Sequence, residues 1–247
     1  MTAHLPSRAT PNKRLGKHWL ACCTIVVLSS AATLRAQGDP PAGILSQPEH
    51  ARWKDKAPAT YLAAFETSKG RFVIEVVRDW SPNGADHFYN LVRNGYYDDA
   101  RFHRVLPNYI VQWGLHGDPA INRIWRARKI QDDPGPQKQS NVRGTIGFAM
   151  VGPNDRATQV YINLSDNARN DGQGLVPFGR IVEGMTVVDS LYNGYGTNSG
   201  NGVRQGQQGP IEEGGNAYLD RMFPKLDRIK RAWIVTRPSI NEMAITR

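Results

Sequence analysis

The sequence predicts a mainly β domain, an antiparallel sheet closed into a barrel with a few capping helices, and three observations carry that expectation. Apolar residues recur at every second position in Tyr61, Ala63 and Phe65 and again in Phe72, Ile74 and Val76, with Lys69-Gly70 as a turn between the runs. Because alternate side chains of an extended chain share a face, the two runs read as a hairpin with one side in a core. One helical pattern follows. After it the chain shows mostly short strand-like runs, ending in Arg231-Ala232-Trp233-Ile234-Val235, which reads as the closing strand. Many strands with few helices point to closure, which removes unpaired sheet edges.

Taken in order, the first 36 residues have the three parts of a secretory signal: a basic region ending at Lys17-His18, an apolar block from Trp19 to Ala32, and small residues near Ala36. Cleavage after Ala36 is expected, with Ala32 as the competing site. The apolar block is short for a membrane span, which needs about 20 residues; an uncleaved anchor, tethering the protein to a membrane, is the alternative. Residues 37–58 are rich in Pro and Gly and read as a linker or an extension lying on the domain, with Trp53 as its packing residue. The domain proper is expected over 59–247. Past the hairpin, Asn83-Gly84 leads into Ala85, Phe88, Leu91 and Val92, an amphipathic spacing stopped by Asn94-Gly95. A glycine-rich stretch at 194–215 is too polar to build core and reads as an inserted mobile loop. Asn216-Ala217-Tyr218-Leu219 and Phe223-Pro224-Lys225-Leu226 then return the chain to the barrel.

Composition narrows the function. With 247 residues, 40% of them hydrophobic, the chain fits one domain better than two. Its net charge of +9 overstates any basic surface, because Arg8, Lys13, Arg14, Lys17 and Arg35 lie in the first 36 residues with no acid among them. The remaining excess is a matter of solubility. Arg126-Ala127-Arg128-Lys129 reads as a solvated loop, so no nucleic-acid partner is expected. Both cysteines, Cys22 and Cys23, fall in the leading segment, which excludes disulfides and thiolate catalysis for the processed chain. His50, His87, His103 and His116 have no metal-binding spacing, and neither G-x-S-x-G nor a phosphate-loop pattern occurs. Asp132-Asp133 reads as a solvated turn before Pro134. No metal and no cofactor are expected.

The chemistry concentrates in Phe102-His103-Arg104-Val105-Leu106-Pro107-Asn108-Tyr109-Ile110-Val111-Gln112. Arg104 precedes a Pro-Asn turn, and Ile110 and Gln112 share a face of the strand that follows. The pattern describes a pocket with a fixed cation, an amide and an apolar floor. Alone, it equally describes an ordinary hairpin with a solvated arginine.

This segment resembles the signature of the cyclophilins, the peptidyl-prolyl cis-trans isomerases, and three further segments resemble that family in its order. They are Arg143-Gly144-Thr145-Ile146-Gly147-Phe148-Ala149-Met150-Val151-Gly152-Pro153-Asn154, then Thr158-Gln159-Val160-Tyr161-Ile162, then Val176-Pro177-Phe178-Gly179-Arg180-Ile181-Val182-Glu183-Gly184-Met185. The resemblance implies eight antiparallel strands in the barrel, proline-containing polypeptides as substrates and no cofactor; a monomer is expected. It places Arg104 as the catalytic donor and Gln112 on the substrate carbonyl. Ile110, Tyr161 and Leu175 form the proline pocket, with Tyr109 as a wall, and Ala149, Met150 and Gln159 meet the residues before proline. Tyr161 and Ile110 stand where phenylalanine and methionine are usual. Arg169 stands where many members carry a tryptophan that contacts the inhibitor cyclosporin, and Met150 where asparagine is usual, so inhibitor sensitivity is expected to be low. The leading function is an exported isomerase that accelerates folding of other exported proteins, residing in the periplasm or secreted. The alternative is a proline-peptide binding module or holding chaperone with weak catalysis.

Overall fold

In the computed structural model of the chain, the two alternating runs become β2 (Thr60–Thr67) and β3 (Gly70–Val77), an antiparallel pair with Tyr61 opposite Val76 and Phe65 opposite Phe72. All six residues that carry the alternation are buried. The turn is Ser68-Lys69, one residue earlier than the sequence suggested, because Thr67 and Gly70 still pair. The helical spacing becomes α1 (Pro82–Arg93), which buries Ala85, Phe88, Leu91 and Val92. It stops where expected. Gly95 takes φ 73°, a left-handed value open to a residue without Cβ, and the Tyr96 N–H reaches back to the Leu91 carbonyl at 3.0 Å.

The remaining strands are β1 (Arg35–Ala36), β4 (Arg104–Leu106), β5 (Ile110–Trp113), β6 (Thr145–Phe148), β7 (Val160–Asn163), β8 (Pro177–Glu183) and β9 (Ile229–Thr236). They form one antiparallel sheet in the order β1-β9-β2-β3-β8-β6-β7-β5-β4, so eight strands and the two-residue β1 make a curled sheet of the expected class. The expected closure is corrected: the sheet stays open between β4 and β9. One isolated bridge, Arg101 with Arg228, spans that seam, with the Phe102 N–H on the Asp227 carbonyl at 3.0 Å and the Ile229 N–H on the Ala100 carbonyl at 2.9 Å. The contact falls before β4 starts. With only three residues, β4 pairs along β5, while the far end of β9 is taken by β1, so no continuous ladder can form there.

The curl encloses an aromatic core. The Phe65 and Phe72 rings stack at 5.1 Å, 1° from parallel, and Trp113 of β5 meets both edge-on at 5.8 and 6.4 Å. Each such ring contributes about 1.5–3 kcal/mol by leaving water. Because β5 sends Val111 and Trp113 into this core, its alternate residues Ile110 and Gln112 must face the other way.

Three further helices cover the sheet: α2 (Pro119–Arg126), α3 (Met185–Asp189) and α4 (Gly209–Met222). Sequence reasoning did not anticipate α2, although its start carries a helix signal: the Asp118 carboxylate accepts the Ala120 N–H at 2.7 Å and Pro119 occupies the first turn. Trp125 of α2 packs at 4.1 Å from Trp53, and its indole N–H donates to the Leu45 carbonyl at 2.8 Å, so residues 44–54 lie against the domain. The glycine-rich stretch is not simply a loop outside the core. Ile211 is buried with Leu115 and Leu219, and buried Ser199 donates its hydroxyl to the His103 carbonyl at 2.7 Å. Apolar Ile211 supplies a docking point that the surrounding glycines conceal. The structure describes residues 35–36, 40–200 and 208–236; the basic and apolar parts of the expected signal lie outside them.

Candidate active site

Strand register builds the site. Arg104 of β4 lies directly opposite Gln112 of β5, Gln112 opposite Tyr161 of β7, and Tyr161 opposite Gly147 of β6. Residues paired this way have Cβ atoms about 5 Å apart, so four consecutive strands present one row of side chains to a single groove. A Cβ on Gly147 would stand 2.8 Å from the Tyr161 hydroxyl, so the row ends on a residue small enough to seat the tyrosine. Pro107-Asn108 makes the turn between β4 and β5, with Asn108 in the left-handed region at φ 57°, and brings Tyr109 to the rim.

The groove has a volume of about 610 Å³, and all nine residues singled out from the sequence line it: Arg104, Tyr109, Ile110, Gln112, Ala149, Met150, Gln159, Tyr161 and Leu175. The Arg104 guanidinium donates through Nη1 to Gln112 Oε1 at 3.0 Å. Gln112 Nε2 donates to Gln159 Oε1 at 2.9 Å. Gln159 Nε2 in turn donates to Gln208 Oε1 at 2.6 Å, and Gln208 Nε2 returns a bond to Gln159 Oε1 at 3.0 Å. Nothing adjacent in the sequence signals Gln208, which lies 49 residues from its partner and within the glycine-rich stretch.

Asn141 holds the apolar end. Its amide donates to Asp171 Oδ1 and to the Leu175 carbonyl, both at 2.7 Å, and its oxygen accepts the Tyr161 hydroxyl at 2.6 Å. Burial, then nearby Tyr109 and Asp171, raise the Tyr161 phenol above its ordinary range, so it remains a donor. Burial alone would raise the Asp171 carboxyl, but hydrogen bonds from Ser140, Asn141 and Gln137 bring it below its usual value. Asn141 too was missed from sequence. Tyr109 stands under two cations, Arg169 at 4.7 Å and Arg104 at 5.9 Å from the ring centre, so Arg169 rests on this wall of the groove.

His103 is fully buried beside Arg104, and burial, then the Arg104 charge, push its imidazole down to about 4. Neither ring nitrogen meets a partner in hydrogen-bonding geometry, although the Arg101 backbone and the Gln159 side chain lie near enough to oppose part of that shift. The other end of the groove is walled by Leu115 and by Asn122 and Arg126 of α2, facing Gln208 and Glu212, with Arg126 ion-paired to Glu212. The expected solvated turn at Asp132-Asp133 is corrected. Asp133 is buried against Arg156 at 2.7 Å, accepts the Ser81 hydroxyl, and takes the Asn83 N–H at 2.6 Å, because a buried guanidinium requires a partner. Among the described residues, no group of three or more His, Cys, Asp or Glu side chains is placed to hold a metal ion. What the groove offers is a fixed cation, an oriented amide and an apolar floor, suited to holding a peptide backbone.

Known proteins resemble this chain in sequence and in fold. Residues 62–213 match the family described as "Cyclophilin type peptidyl-prolyl cis-trans isomerase/CLD". The peptidyl-prolyl cis-trans isomerase-like 1 of Aspergillus niger is 32% identical over 129 residues, which cover 52% of this chain and 79% of that protein. A peptidyl-prolyl cis-trans isomerase of Acinetobacter baylyi is 32% identical over 142 residues, 56% and 74% of the two chains. In fold, the crystal structure of a cyclophilin type isomerase from Cryptosporidium parvum superposes with a TM-score of 0.51 at 21% identity, over 72% of this chain and 99% of that one. The chain belongs to the cyclophilin-type peptidyl-prolyl cis-trans isomerases and is an isomerase enzyme.

Proposed function

We propose that the groove receives a proline-containing polypeptide and that Arg104 and Gln112 act on its X-Pro bond. Rotation about that bond is slow because amide resonance sets a barrier of about 20 kcal/mol. As the bond twists, resonance is lost and the prolyl nitrogen regains a lone pair that can accept a hydrogen bond. Arg104 donates to that nitrogen, an interaction stronger in the twisted state than in either planar one, which is the condition for raising the rate. Gln112 holds the substrate carbonyl through its remaining amide hydrogen. Ile110, Tyr161 and Leu175 seat the proline ring, Tyr109 closes one side, and Ala149, Met150 and Gln159 meet the residues before it. The observation that carries this reading is the direct pairing of Arg104 with Gln112 across β4 and β5, joined at 3.0 Å and facing the same groove as Tyr161.

The test is a proline-limited refolding assay. Arg104→Ala should lower kcat/KM by about 10²- to 10³-fold, the usual effect of losing one transition-state donor, with an unchanged thermal melt. Full activity in that variant would overturn the assignment.

The cellular role we propose is folding of exported proteins. The basic, apolar and small-residue order of the first 36 residues supports export, as does a remaining chain without a thiol to misoxidise. Material recovered outside the cytoplasm should begin near Gln37 on terminal sequencing. Recovery from membranes with residues 1–36 intact would replace export with anchoring.

A further inference from the structure

We propose that Gln208 is a positioning residue for the isomerisation, setting which end of the Gln112 amide faces the substrate. The inference rests on Arg104 and Gln112 acting as proposed above. An amide side chain has two ends of similar shape and opposite hydrogen-bonding sense, so its orientation is decided by its partners. Gln112 can serve a substrate carbonyl only with its N–H end free to donate, which requires its oxygen to stay on Arg104 Nη1.

The bonds around it impose that choice in steps. Gln159 Oε1 accepts from Gln112 Nε2 at 2.9 Å and from Gln208 Nε2 at 3.0 Å, while Gln159 Nε2 donates to Gln208 Oε1 at 2.6 Å. Gln208 thus holds both ends of the Gln159 amide, a reciprocal pair that a flipped Gln159 could not make unless Gln208 flipped too. Gln208 is 2% exposed, so water cannot readily replace it. Without Gln208, Gln159 is free to turn its N–H end toward Gln112. Two N–H ends would then face each other, so Gln112 must give up either its contact with Gln159 or its bond to Arg104, and in the second case its oxygen meets the substrate carbonyl, where it repels rather than donates. The residue comes from outside the strand row, just ahead of α4, and adds a second hold, through Gln159, to an amide whose oxygen end Arg104 holds from the other side.

Three variants test this by exchange spectroscopy on a short X-Pro peptide. Gln208→Leu keeps volume and removes the bonds, and should lower kcat/KM roughly tenfold, the scale of one or two lost hydrogen bonds. In a Gln112→Ala background the same change should cost clearly less, since only the contact of Gln159 with the residues before proline is left to disturb. Gln208→Glu should introduce a pH dependence absent from the parent: protonated, the carboxyl can donate to Gln159 Oε1 as the amide does, and activity should fall as pH rises through its ionisation. A structural role alone would move the thermal melt and would not create that profile. If Gln208→Leu stays within twofold of the parent, or costs the same with Gln112 absent, or if Gln208→Glu shows no pH dependence, the inference is overturned. Arg104→Ala run alongside separates the cases: loss of activity there with an indifferent Gln208 defeats this inference alone, and no loss there defeats the reading beneath it.

Discussion

The two walls of the groove are built differently. One is a row across four paired strands, Arg104, Gln112, Tyr161 and Gly147, whose places are set by register and whose backs are set by the aromatic core. The other is assembled from α2, the chain around Gln208 and the first turns of α4, joined by an ion pair and a few amides. The difference teaches where chemistry and orientation reside. A strand row cannot slip without turning every second side chain out of the core, so it suits groups that must meet a reacting bond. Helix ends and loops tolerate substitution, so they suit groups that adjust that row.

Away from the groove, the Asp133 side chain ties the segment after α2 to Arg156 of the β6–β7 connection and to the start of α1. Asp133→Ala should lower stability by about 3–5 kcal/mol in urea unfolding, because the buried Arg156 charge loses the nearer of its two carboxylate partners. A loss under 1 kcal/mol would mean that the fold does not depend on this pair.

His103 sharpens the contrast from behind the strand row. Its folded value of about 4 lies below the ordinary histidine value of 6.5. The unfolded chain therefore binds a proton that the folded one refuses. Stability from this residue is full above about pH 6.5, falls between pH 6.5 and 4, and is flat below. The total is on the order of 3 kcal/mol. Unfolding measured at pH 7 and pH 4.5 should show this, and His103→Gln should reduce the slope by up to one proton. An identical slope in the variant would contradict the assignment.

A smaller effect concerns the rim. Arg169 lies 4.7 Å over Tyr109 where the family resemblance expects tryptophan, so cyclosporin should bind the unaltered protein poorly. Arg169→Trp should tighten binding by about ten- to hundredfold in titration calorimetry, the effect of restoring one buried aromatic contact. Nanomolar binding by the unaltered protein would show that the position is misaligned.

How much of this was readable in the sequence follows the same division. The β2–β3 alternation and the helix at 82–93 were legible because each repeats a local period, and the strand-borne pocket residues fall in one groove because four short segments keep their order. The α2 helix carries its only local signal at Asp118-Pro119, a cap and a first-turn proline too brief to stand out beside the strand patterns. Gln208, Asn141 and the Asp133–Arg156 pair were not legible, because each is defined by partners 20 or more residues away and by no local pattern. Closure was overestimated for a related reason: counting strands says nothing about whether a three-residue β4 can also ladder with β9.

The most direct measurement is the cis-trans exchange rate of a short X-Pro peptide in the presence of the unaltered protein, Arg104→Ala and Arg104→Lys. A planar fork aimed at the prolyl nitrogen should be required, so the alanine variant should fall about 10²- to 10³-fold in kcat/KM. The lysine variant should recover little of that loss, because a point charge cannot reproduce the fork. Exchange at the unaltered rate by Arg104→Ala would contradict the role given to the strand row and leave the groove as a site that binds proline peptides without Arg104 driving their rotation.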